Sequence, residues 1–394
     1  MKKNTLSLLV TGLAFVSILA SCSKKESTNN ITPVIPPSHP IAAGNISGFV
    51  KGTLLTGSTY TITADLTVKK GDTLAAQPGA IVVIKNDAQI NINGVLQVLG
   101  SQNNPVTFDS DSQQPGSWGG FACDSAQAVT IKWAHVNNTG GPDPSGDPRK
   151  SVSVAVAINV DIEDSWFTNG QDDLMGIKLA HVTILRNTIQ SSGSTDGEAI
   201  NLKAGVTGDV AYNVIYNQAG SGVKLETSSS VPFPQTVVNV YNNTMVANGW
   251  RRGAAEPGRG VSVGVNAIGH IYNNLMVNNY QGVDIFPDGD TKNTTYGNNL
   301  FYASAATFTD NANVVINLAA NFYPSDGVGT AQTSDVISKD PLFVSFDGSF
   351  IKPNGAANPY DFHVKTGSPA IGKGNATYNA DIGAYTSDGK GNKH

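Results

Sequence analysis

The chain has 394 residues, 42 of them Gly, with 14% charged residues and a formal net charge of −5. So sparse and weakly acidic a charge leaves no nucleic-acid footprint, although a local basic patch can still meet an acidic polymer. At the N-terminus, Lys2 and Lys3 precede an apolar run from Leu6 to Leu19. That run is too short to span a bilayer and is laid out as a secretory signal peptide.

The run ends in "LASC", residues 19–22, which resembles the lipobox of bacterial lipoproteins, where cleavage leaves an acylated N-terminal cysteine. The resemblance implies a signal peptide over 1–21, lipidation at Cys22, and attachment to the cell envelope through lipid alone, on the outer membrane of a Gram-negative bacterium. Several acyl chains hold a protein stably where one does not. Residues 23–44, "SKKESTNNITPVIPPSHPIAAG", are polar and Pro-rich and read as the rest of a flexible tether over 22–44. Beyond them the composition does not break, so 45–386 is expected to form one elongated, monomeric domain, with 387–394 as a disordered tail. Cys123 is the only cysteine left in that body. It can form no intramolecular disulfide, and a small buried apolar role is expected for it.

Repeats set the fold class. The segments "ILRNTIQ" (184–190), "AYNVIYN" (211–217), "VYNNTMVANG" (240–249), "IYNNLMVNN" (271–279) and "YGNNLFY" (296–302) superpose with Asn187, Asn213, Asn243, Asn274 and Asn299 in register, at intervals of 26, 30, 31 and 25 residues. A fixed core pattern with variable spacing marks a solenoid whose insertions sit in loops. The segments are short and rich in Val, Ile and Tyr, as strands are. Stacked asparagines can hydrogen-bond along parallel strands ~4.8 Å apart. A second register, "GIKL" (176–179), "AINL" (199–202), "GVKL" (222–225), "GVSV" (260–263) and "GVDI" (282–285), has the form small-apolar-polar-apolar, with the apolar pair inward and the polar residue outward. Earlier turns come from "AVTIKWAHV" (128–136) and "VDIEDSWF" (160–167). The reading is all-β, a parallel solenoid of roughly a dozen coils on these periods.

The stretch 60–94, followed by "GSQNNPVTF" (100–108) and "GSWGG" (116–120), and the ending "DPLF" (340–343), "DFHVKTGSPAIGKG" (361–374) and "DIGAY" (381–385), resemble the opening and closing segments of bacterial right-handed parallel β-helix proteins of the pectin-lyase-like superfamily. The resemblance spans roughly 45–386. It implies the fold but not one activity, since the superfamily holds pectate, alginate and chondroitin lyases, polygalacturonases and proteins with no known reaction.

Stacking the second register puts Lys178, Asn201, Lys224, Ser262 and Asp284 in one outward column. Glu198, Ser221, Arg259 and Gln281 form the next, and Lys203 and Glu226 extend the patch. Such a column is either a solvated face or a groove for a polysaccharide, an acidic one given the lysines. Eliminating a uronate needs its carboxylate neutralised, a base for the proton at carbon 5 and an acid for the leaving oxygen. Lys224 or Arg259 is the expected base, lysine through cationic neighbours that disfavour its charge. Glu198 joins the catalytic set, and Lys178, Asn201, Asp284 and Lys203 hold the substrate. Asp172, Asp173 and Asp196, with Glu198 near them, could gather Ca²⁺, the one cofactor the residues suggest.

Hydrolysis is the competing enzymatic reading. Asp173 and Asp196 lie 23 residues apart, as Gly176 and Ala199 do, which would put two carboxylates one rung apart. The order is reversed from the "NTD" and "DD" motifs of polygalacturonases, and their "GHG" and "RIK" motifs are missing. The non-enzymatic reading is a glycan-binding or structural surface protein, with Trp250 and the loop 251–260 as a platform. The six histidines show no metal-ligand spacing.

Overall fold

A computed structural model of the chain describes residues 39–191, 196–228, 233–254, 256–310, 312–349 and 359–394. The signal peptide, Cys22 and most of the tether lie outside the described residues. Three parallel ladders form the faces of the coil. One has ten strands, from Gly52–Leu54 to Thr295–Gly297. The other two merge into a twenty-stranded sheet because the long strand Thr59–Val68 joins both, its first half pairing with Ile81–Ile84 and its second with Ile90–Ile92. Strand-to-strand crossovers in parallel sheets are right-handed, and so is this coil.

Alternation builds each face. In His181–Leu185 the buried positions are Val182 and Ile184, and such residues from all three faces fill one continuous core. Cys123 lies in it, fully buried, as expected, and burial pushes its thiol up. The sharp corner after the ten-stranded face explains the asparagines. Between Leu185 and Thr188 stand only Arg186, at φ 56°, and Asn187. Tyr212, Asn242, Asn273 and Asn298 take the same left-handed conformation before their own asparagines. The turn strands backbone groups that the next side chain must satisfy. Asn187 Nδ2 donates to Asn213 Oδ1 at 3.0 Å, Asn213 to Asn243 at 2.9 Å, Asn243 to Asn274 at 2.9 Å and Asn274 to Asn299 at 3.1 Å. All five are fully buried, so the expected stack is present. A second stack went unread in the sequence: Asn248 Nδ2 donates to Asn279 Oδ1 at 2.9 Å, and Gln218 N to Asn248 Oδ1 at 2.8 Å.

Three expectations are corrected. The tether does not run to residue 44, because Thr53 N donates to His39 O and Ile41 N to Thr53 O, both at 2.9 Å. The last residues are not a disordered tail. Phe343, Phe362, Ala370, Ile382 and Ala384 cover an apolar stripe on the outside of the coil, formed by Val214, Val246, Leu275 and Leu300. The chain continues along it until Asn392 Nδ2 reaches Asn187 O and Tyr212 O, at 3.3 and 3.2 Å, and the His394 ring lies 4.0 Å from Trp166. Trp250 is no exposed platform. It is 1% exposed, donates to Asn278 O at 2.7 Å and packs on Tyr280 and Phe308.

Candidate functional site

The outward column differs from the expected one by a slip of two residues. Gly176 pairs with Asn201, while Lys178 pairs with Lys203. Beyond that rung the register is as expected, Asn201 beside Lys224, Lys224 beside Ser262 and Ser262 beside Asp284. A one-residue slip turns the apolar side chains out, whereas a two-residue slip keeps them inside. Alternation therefore could not detect it. Lys178, Lys203 and Glu226 form a separate column ending at Gly264.

The slip also re-pairs the carboxylates. Glu198, not Asp196, accompanies Asp173: Glu198 N donates to Asp173 Oδ1 at 2.9 Å, and Asn201 Nδ2 to Asp173 Oδ2 at 2.8 Å. Asp196 is held by Arg252, whose Nη1 also meets Glu198 Oε1 at 2.8 Å. Asp172 and Asp173 face Lys150 at 3.8 and 4.0 Å. Of the three aspartates expected to gather calcium, two thus share Lys150 while the third answers to Arg252. Among the described residues, no group of three or more acidic, histidine or cysteine side chains could hold a metal ion, so this donor set does not fit calcium.

Lys224 does not lie among cations alone: its Nζ is 3.3 Å from Glu226 Oε1 and 3.9 Å from Glu198 Oε1, carboxylates it shares with Lys203 and Arg252. Lys203 Nζ meets Glu226 Oε2 at 3.0 Å. Arg259 is committed elsewhere, with Nε donating to Asp284 Oδ2 at 2.9 Å, Nη1 donating to Pro257 O, and its guanidinium 4.9 Å from the Phe286 ring centre. Asp284, expected to touch substrate, is fully buried. Arg252 and Lys150 were missed because each reaches the face from a loop, where no strand period points to it.

Glu198, Lys224, Glu226, Arg252, Arg259 and Gln281 stand in the walls of a cleft of about 490 Å³, and Lys150, Asp173, Lys178, Asn201 and Lys203 line a second one of about 270 Å³. Burial pushes the Glu198 carboxyl up to about 7. The neighbouring charge of Asp173 and a hydrogen bond to it add to this, and Arg252 and Lys224 only partly oppose it. Burial acts on Glu226 too, but there Lys224 and Lys203 outweigh it and hold the carboxyl below its usual range. Arg252 does the same for Asp196, against burial. The face therefore holds one carboxyl poised to exchange a proton near neutrality, among others kept ionised.

Three parallel ladders around one core define a β-helix protein. Residues 119–301 match the family model described as right handed beta helix region, the fold that the repeats implied. No curated protein matches it. Among solved structures it is similar to the pectate lyase Pel9A, at 14% identity over 90% of this chain and 89% of that one, with a TM-score of 0.35.

Proposed function

We propose that the cleft holds an acidic polysaccharide lying along the outer face, and that Glu198 exchanges a proton with it during β-elimination at a uronate. The observation that carries this is the Glu198 side chain, 4% exposed in the cleft wall with its carboxyl pushed up to about 7. A group half ionised near neutrality is suited to general acid–base work. In this reading Glu198 takes the proton from carbon 5. That electron pair forms the double bond between carbons 4 and 5, and the glycosidic oxygen leaves carbon 4 with a proton from the Lys224 ammonium. Lys178 and Lys203, side by side on neighbouring rungs, neutralise the sugar carboxylate. Rungs repeating every ~4.8 Å offer similar groups at regular steps to an extended polymer.

Binding without turnover is the second reading, favoured by the carboxylate partner that Lys224, Arg252 and Arg259 each already have. The test is ultraviolet detection of unsaturated product with polygalacturonate, alginate and chondroitin, alongside affinity electrophoresis in the same polymers. Product from wild type, lost in Glu198→Gln with affinity kept, supports elimination. Retardation without product supports binding alone, and neither signal in any polymer overturns both readings.

A further inference from the structure

We infer that this groove is closed at one end and receives the terminus of a glycan chain, not its middle. The inference rests on the proposed glycan site and adds which part of the polymer the site can take. The three outward columns that floor the groove stop within one rung of each other. The column through Asn201, Lys224 and Ser262 ends at Asp284, and the segment after it folds directly over that residue: a Cβ at Gly327 would stand 2.4 Å from Asp284 Oδ1. Val283 N donates to Phe322 O at 2.9 Å and Val328 N to Ile285 O at 2.8 Å, which fastens this cover to the last rung. The column through Lys203 and Glu226 ends where the Phe286 ring packs on Gly264, 3.0 Å from where a Cβ would be. The third ends at Gln281, between Tyr280, Ile316 and Asn321 in the cleft wall.

The lysines away from the cover stay accessible, Lys178 exposed and Lys203 and Lys224 half-buried, whereas under the cover Ser262 is 2% and Asp284 0% exposed; Asn201 and Glu198, farther from it, are buried as well. A groove for the middle of a chain would be open at both ends. From the coil of Glu198 to the closed end there are three rung steps, Asn201 to Lys224 to Ser262 to Asp284, about 14 Å at ~4.8 Å each. That length holds a few sugar rings beyond the proton-transfer point and no through-going polymer. The closed end also carries an acceptor without a donor: Gln281 is 6% exposed, lines the cleft, and its Oε1 has no hydrogen-bond partner. A buried acceptor left unpaired is costly. The hydroxyls that a chain end presents would satisfy it.

The experiment compares length fractions of polygalacturonate, alginate and chondroitin at equal mass, using the full chain. If ends are bound, the mass giving half-saturation rises in proportion to chain length, because shorter fractions carry more ends per gram. Any product appears from the start as one short length. Half-saturation independent of length, or a broad ladder of internal cleavage products, overturns the inference while leaving the glycan reading intact. No binding at any length overturns both. Gln281→Leu should weaken binding of the shortest fractions most, and a uniform loss across lengths counts against its role at the terminus.

Discussion

Lys150 lies across Gly176. A Cβ built on Gly176 would come within 2.3 Å of Lys150 Cδ and 2.4 Å of Cε, so the bare backbone of this rung is what lets the lysine cross the sheet to Asp172 and Asp173. Gly176 sits in an ordinary strand, Met175–Lys178, so what the position demands is space and not an unusual backbone. Gly176→Ala should push Lys150 aside, at an overpacking cost of about 1–3 kcal/mol. Burial already raises the Asp172 carboxyl, and Lys150 is among the groups that hold it back. Losing that restraint should raise it further. Carboxyl-carbon NMR titration should find Asp172 shifted upward in both Gly176→Ala and Lys150→Met. An unmoved Asp172 in Lys150→Met would show that the pair is not coupled.

The asparagine stack gives a prediction about stability. Asn274 accepts from Asn243 N and Nδ2 at 3.1 and 2.9 Å, and donates to Val240 O, Tyr272 O and Asn299 Oδ1. Asn274→Ala removes all of these at a fully buried site. With about 1–3 kcal/mol for each buried group left unsatisfied, the total loss should reach at least about 3 kcal/mol. Denaturant unfolding should show a lower midpoint at an unchanged slope. A midpoint matching wild type would mean that water replaces the side chain.

What was legible in the sequence depended on whether an error would show. The asparagines could be aligned because one residue type, satisfying a left-handed corner, recurs in five successive coils. The outward column could be aligned only from Asn201 onward, since moving Met175–Lys178 by two residues changes no inward side chain. Arg252 and Lys150 could not be found, because contacts made from loops follow no period. The ordering of residues 387–394 was hidden for a related reason. "SDGKGNKH" is polar and Gly-rich, and it is held by backbone carbonyls of Asn187 and Tyr212 and by the Trp166 ring, more than a hundred residues earlier in the chain.

Membrane attachment is an expectation from "LASC" alone, and Cys22 lies outside the described residues. If Cys22 is acylated, Cys22→Ser should move the protein from the membrane pellet to the soluble fraction without detergent. Multiple acyl chains supply the anchorage in that reading. Continued pelleting of the serine variant would overturn the lipoprotein assignment.

Glu198 makes stability depend on pH with a defined sign. Its carboxyl is raised from 4.5 to about 7 in the folded chain, first by burial and then by Asp173, against Arg252 and Lys224. Between those values the folded state keeps a proton that the unfolded state has released, so raising the pH favours unfolding. The contribution is fully present below about 4.5, is lost progressively up to about 7, and stays constant above that. Its size is about 3 kcal/mol at 1.36 kcal/mol per pH unit over this window. Glu198→Gln keeps the shape and removes the titration, so the stability of wild type minus that of the variant should fall by this amount across the window. Chemical unfolding of both proteins from pH 4 to pH 8 measures it. A difference that stays flat, or rises, would mean that Glu198 is ionised throughout, and would remove the group on which the proposed proton transfer depends.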